Sequence, residues 1–192
     1  MTFTLQPATP YSHHMKARQT IDAEQELLDR ALVESSRGGD IERVGALLSD
    51  GANVRAKDSY ALRWSARNGH FEVVRLLLDR GADIHAENDE ALCWASLNGH
   101  FEVVRLSLDR GADIHSQNNH ALRWAIGSGH LEVVLLLLEY GADIEMGIAM
   151  AKNTGNSSML DRLNRVKLSR EEKKLLTTEV PVPERSADMV RM

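Results

Sequence analysis

Residues 58–87 read DSYALRWSARNGHFEVVRLLLDRGADIHAE, residues 88–117 read NDEALCWASLNGHFEVVRLSLDRGADIHSQ, and residues 118–147 read NNHALRWAIGSGHLEVVLLLLEYGADIEMG. These are three copies of one unit, in register without a gap, at a period of 30 residues. A diverged copy, LDRALVESSRGGDIERVGALLSDGANVRAK, precedes them at 28–57. A worn copy follows at 148–168. There Ala151, Gly155, Met159, Leu160 and Leu163 match Ala125, Gly129, Val133, Val134 and Leu137 at an offset of 26, so four residues have gone from its entry loop. Self-similarity at a fixed period of this size is the signature of a repeat array.

Each unit reads as two short helices. Leu62, Ser65 and Ala66 fall at i, i+3 and i+4 and make one face of the first helix. Ser59, Asp89 and Asn119 are its candidate N-caps. Asn68-Gly69 breaks it, because glycine takes the positive φ that a tight helix-to-helix turn requires. The second helix starts near His70 and turns Phe71, Val73, Val74, Leu77 and Leu78 inward, with Glu72, Arg75 and Asp79 toward solvent. Gly81, Gly111 and Gly141 end it, and Ala82 to Glu87 form an extended connection. Ser107 stands where Leu77 and Leu137 stand, so its hydroxyl is expected to bond the Val103 carbonyl one turn back.

One such helix pair cannot bury its own apolar face; stacked copies can, and the terminal copies then act as caps with a polar outer side. The first copy fits, with Glu34, Arg37 and Arg43 at positions that are mostly apolar or aromatic further in. The last copy fits as well, with Lys152, Asn153, Asp161 and Arg162. The expected organisation is a disordered tail over 1–19, a repeat domain over 20–168 and a largely disordered tail over 169–192. Thr20 or Asp22 should begin the first helix. Ser169, with Glu172 three residues on, should cap a helical turn or two before Pro181 and Pro183 enforce extended chain.

The chain resembles the ankyrin repeats. Gly69-His70-Phe71-Glu72-Val73-Val74, Leu76-Leu77-Leu78 and Gly81-Ala82-Asp83-Ile84 carry the likeness, with their counterparts in the other copies. The family's Thr-Pro-Leu-His stretch is replaced by Tyr60-Ala61-Leu62-Arg63, Glu90-Ala91-Leu92-Cys93 and His120-Ala121-Leu122-Arg123. The connecting finger is also three residues short of the family's usual 33. Short fingers of this kind look like those in ankyrin proteins of large DNA viruses and some intracellular microbes. The resemblance implies an all-α solenoid. It also implies a non-catalytic protein-binding scaffold or adaptor that works through its finger tips and the concave face of its first helices. The runner-up is a pathogen effector or a regulatory subunit whose activity lies in its partner.

Carried over position by position, the finger tips include Asp89, Glu90, Asn119 and His120. The concave positions are Arg67, Asn68, Leu97, Asn98 and Ser128, which vary between copies while the framework does not. Trp64, Trp94 and Trp124, the only tryptophans, fall at one repeat position. Each lies three and four residues before the variable pair and shares its face rather than that of Leu62 and Ala66. The expected site is therefore a row of indoles along the concave surface, and Trp is enriched at binding hot spots.

Composition narrows the remaining classes. The 192 residues are 43% hydrophobic and only 5% aromatic, with a net charge of −5. Residues 1–20 carry +2 and residues 168–192 carry zero, which leaves −7 on the middle. An acidic body argues against nucleic acid and against anionic membranes as partners. The longest apolar run, Val133 to Leu138, is too short to span a bilayer. A lone cysteine, Cys93, allows no internal disulfide and fits a reducing, cytoplasmic setting, which would be the host's for a viral or microbial protein. His70, His100 and His130 recur one helix-packing distance apart, roughly 8–10 Å, while a shared metal needs ligands about 2 Å from one ion. They are expected to be framework residues. No phosphate loop, nucleophile elbow or paired-carboxylate motif is present. No catalytic residue, cofactor or metal is expected, and the chain is expected to be monomeric.

Overall fold

In the computed structural model, the backbone is described for residues 10–178 and side chains for 22–176. The described residues form ten helices and no strand. They are α1 (Pro10–Gly38), α2 (Ile41–Ser49), α3 (Ala56–Arg67), α4 (Phe71–Asp79), α5 (Ala86–Leu97), α6 (Phe101–Asp109), α7 (Ser116–Gly127), α8 (Leu131–Glu139), α9 (Ile144–Asn153) and α10 (Ser157–Thr178). No helix among them is long and apolar enough to cross a membrane. The chain divides after Ala142 into two compact units.

In the first unit α1, α3, α5 and α7 lie side by side in one layer, and α2, α4, α6 and α8 lie side by side in the other. The core is what the repeat pattern requires. Leu62, Leu92 and Leu122 from the first helices are fully buried, as are Val74, Val104 and Val134 from the second. Arg43 is exposed where its counterparts Val73, Val103 and Val133 are buried, so the first copy keeps a polar face. Ser107 is fully buried and its hydroxyl donates to the Val103 carbonyl at 2.8 Å. Leu77 and Leu137, its equivalents, are equally buried. Ser107→Leu should therefore raise unfolding stability by roughly 1–3 kcal/mol, the scale of a buried leucine. A denaturant melt should show a higher midpoint at unchanged slope.

Two recurring devices hold the first unit. The first is a histidine over a glycine. Nε2–H of His70, His100 and His130 donates to the carbonyls of Arg37, Arg67 and Leu97 in the preceding copy, at 2.9, 2.9 and 3.0 Å. Each ring then lies over the turn glycine of that preceding copy, Gly39, Gly69 or Gly99. The second is a latch between fingers. Asp29 Oδ1, Ser59 Oγ and Asp89 Oδ1 accept from the backbone N–H of Asn53, Asp83 and Asp113 at 2.7–2.9 Å.

That latch corrects the expected N-caps. Ser59 and Asp89 do not cap their own helices; their side chains reach forward to the connection at the far end of the same copy. Asn119 instead accepts from His115 Nδ1–H at 2.8 Å. All three sit in a run of left-handed residues, Lys57–Asp58–Ser59, Glu87–Asn88–Asp89 and Gln117–Asn118–Asn119, with φ between 50° and 61°. The connection is thus not extended to Glu87. It makes a turn in which the His85 N–H bonds the Asp83 carboxylate at 2.9 Å, then coils left-handed before the helix proper. This coil replaces the longer finger hairpin in fewer residues.

In the second unit α9 and α10 pack together. The worn copy keeps the helix–glycine–helix plan, with Gly155 at φ 68° and Ala151, Met159 and Leu163 buried. Its hydrogen bonds follow the offset of 26: Asn156 N–H to Ala151 O matches His130 N–H to Ala125 O. The four missing residues correspond to the left-handed coil, so Asp143 caps α9 directly through the N–H groups of Glu145 and Met146. Ser169 is no N-cap, because α10 runs unbroken through it. In the inner copies Gly81, Gly111 and Gly141 stop the second helix, and Lys167 stands at the corresponding place here. At the other end α1 is already helical at Pro10, the first described residue, well ahead of Thr20 and Asp22. Residues 1–9 and 179–192, with Pro181 and Pro183, lie outside the described residues.

Candidate interaction surface

The exposed side of the first-helix layer carries a continuous run of cations and rings. Trp64, Trp94 and Trp124 are each half-buried, while Leu62, Ala66 and their counterparts on the opposite face are buried. Arg37 lies over the Trp64 ring, 4.6 Å from its centroid. Arg67 lies 4.8 Å from the Trp64 centroid and 4.5 Å from that of Trp94. Trp94 meets Trp124 at 5.1 Å, and His120 meets Trp124 at 4.0 Å. Tyr60 meets Trp64 edge-on at 5.9 Å. Each cation–ring contact is worth about 0.5–2 kcal/mol according to how far it is desolvated. Together they hold long side chains in one arrangement, which lowers the ordering cost that a partner would otherwise meet.

The backbone beneath is held too. The Arg37 carbonyl accepts from both His70 Nε2–H and Asn68 Nδ2–H, each at 2.9 Å. Arg63 pairs with Glu90 and lies 4.9 Å from the Tyr60 ring. A cleft of about 160 Å³ opens between Tyr60, Arg63, Trp64, Arg67, Glu90 and Trp94. A larger, more polar depression lies among the fingers at Arg55, Asp83 and His85, and a groove near Leu27, Val33 and Tyr60 flanks α1.

The residues expected at a partner site are thus not all brought together. Trp64, Arg67, Trp94, Trp124 and His120 form the run itself, and Glu90 lines the cleft. Leu97 is half-buried, and Asn68, Asn98 and Ser128 are exposed beside it in sequence. Asn98 spends its amide on the Trp94 carbonyl at 2.8 Å. Asp89 does not belong: it is 4% exposed, with its carboxylate held by the Asp113 N–H and by His85 Nδ1–H. Asn119 is half-buried and bonded to His115. Sequence reasoning missed Arg37 and Arg63. Arg37 lies 30 residues before Arg67, so the repeat register contained the signal.

Cys93 is 1% exposed. Burial, reinforced by the charges of Asp89 and Glu90, pushes its thiol up to about 12. The thiolate is the nucleophile, so this cysteine is chemically quiet. At pH 8 it should resist a maleimide in the folded chain and react once guanidinium is added, as a mass spectrum would show. The unfolded thiol ionises near 9 and the folded one only near 12. The contribution of this thiol to stability is full below 9 and is lost as pH rises toward 12.

A family model described as ankyrin repeats (3 copies) matches residues 15–88 and 85–147. No curated protein matches the chain.

Proposed function

Because the chain belongs to the ankyrin-repeat family, a family of protein-interaction modules, we propose that its repeat region, 20–168, is a non-catalytic scaffold that binds a partner protein on the first-helix face. The observation that carries the reading is the run Arg37–Trp64–Arg67–Trp94–Trp124. Large rings that a monomer has no need to expose are left half-open, and cations hold them in place. Tryptophan and arginine are the residues most enriched among binding hot spots. Leu97, Asn68, Asn98 and Ser128 flank the run and would supply the rim, where contacts tune complementarity more than affinity. The finger tips contribute Glu90 and His120. Asp89 is committed to the finger latch and Asn119 to His115, and neither is proposed as a contact.

A random peptide library panned against the folded chain tests this. Binders should be recovered, and most of them should be lost on counter-panning against Trp94→Ala. Binders that ignore Trp94→Ala and compete instead for the second-helix face would refute the proposal.

A further inference from the structure

We infer that the strip reads an extended, carboxylate-bearing segment of its partner, with two acidic side chains three residues apart, a reading that rests on the first-helix face being the binding surface. Among the described residues, Arg63, Arg75 and Arg110 each pair with a carboxylate, while Arg37 and Arg67, like several other arginines, do not. Arg37 and Arg67 are the two that lie over indoles. A guanidinium over a ring uses its π face there and keeps its in-plane N–H edge, the edge that grips a carboxylate in a bidentate pair. The two cations are therefore held against rings and carry no carboxylate, on a chain whose net charge is negative. Repulsion from the acidic body is screened beyond about 8 Å at physiological salt, so the local cations decide what docks.

Spacing sets the motif. Arg37 and Arg67 lie 4.6 and 4.8 Å from the same indole centroid, and the two distances add to 9.4 Å, the farthest apart their guanidinium carbons can be. A polyproline II segment returns a side chain to the same side every three residues and advances about 9 Å in doing so. Acidic residues at i and i+3 of such a segment fall within the reach of the two arginines, whose guanidinium carbons can be no farther apart than that. The next copy offers Leu97 at that register, and the one after it offers Gly127. An apolar residue at i+6 completes the motif. The ring faces argue for a peptide over a nucleic acid. Trp64 is flanked by Arg37 and Arg67, Trp94 by Arg67 and Trp124, and Trp124 by Trp94 and His120. A stacking base would have to compete with these neighbours for a ring face, while a carboxylate needs only the guanidinium N–H groups.

The test is fluorescence anisotropy with the full chain and fluorescein-labelled Pro-Pro-Glu-Pro-Pro-Glu-Pro-Pro-Leu. This probe should bind at least about tenfold more tightly than the same peptide with both Glu replaced by Gln. It should also beat a version with the second Glu moved one place closer to the first. Arg67→Gln should shrink the Glu-to-Gln preference to less than about threefold, as should Arg37→Gln, which changes an exposed residue of the first copy. Arg75→Gln, on the second-helix face, should leave it intact. Equal binding of the Glu and Gln peptides, no binding of either, or tighter binding of a ten-residue oligothymidine would overturn the inference. Library binders that need Trp94 but carry no acidic pair would overturn it alone and leave the binding face standing.

Discussion

Gly99→Ala is expected to cost about 3–5 kcal/mol of folding stability, the sum of a left-handed backbone forced on alanine and an overpacked contact. Gly99 has φ +74°, and an added Cβ would lie 2.6 Å from His130 Nδ1. The ring has no easy retreat, because its Nε2–H is committed to the Leu97 carbonyl. Gly129 provides the control. It has φ +77°, and an added Cβ there would meet nothing within 4 Å. Gly129→Ala should therefore lose only the backbone share, about 1–2 kcal/mol. The difference between the two is the value of the ring contact. In the double variant Gly99→Ala/His130→Ala the clash is gone, so the two losses should add to more than the double shows. Urea melts of the native chain, the two single variants and the double at one pH measure this cycle. Equal losses for Gly99→Ala and Gly129→Ala would mean that the rings do not seat on the turns.

Trp94→Ala should weaken binding of a peptide selected on the native chain by about 2 kcal/mol or more, the scale of a hot-spot aromatic. Its cost to folding should be smaller, about 1 kcal/mol. Trp94 stands at the middle of the run, between Arg67 and Trp124, so its removal releases the guanidinium and breaks the row. The indole is half-buried, while the residues that seal the interior at this level, Leu92, Ala95 and Ser96, are fully buried. Calorimetry of binding and a denaturant melt of the same sample separate the two effects. If most of the damage falls on the melt and binding survives in the folded fraction, the indole belongs to the core.

The repeat register made the core and the tryptophan row legible before any coordinates. Periodicity places Leu62 and Ala66 inside and Trp64 on the other face, and the burial agrees. It could not place Asp89. Local chemistry makes an aspartate before a helix an N-cap, but the residue is left-handed here and its carboxylate is claimed by the next finger. The coil itself was hidden for the same reason. Asp58, Asn88 and Asn118 tolerate a left-handed backbone, whereas Lys57, Glu87 and Gln117 do not advertise it. Ser169 misled in the opposite way. Its spacing to Glu172 is a genuine capping pattern, but with no glycine near Lys167 nothing stops the helix. The arginines of the site were half-visible: Arg67 stood out by its variation, while Arg37 looked like cap polarity until its place over Trp64 was seen.

Three tryptophans give three indole N–H signals in a proton–nitrogen correlation spectrum, one from each inner copy. Titrating the native chain with a library-selected peptide and following those three signals tests the binding face directly. Binding on the first-helix face requires the indole signals to move along with the backbone amides of Arg67 and Leu97, while the amides of Glu72, Arg75 and Asp79 on α4 stay in place. Saturable shifts confined to α4, with all three indole signals unmoved, would contradict it.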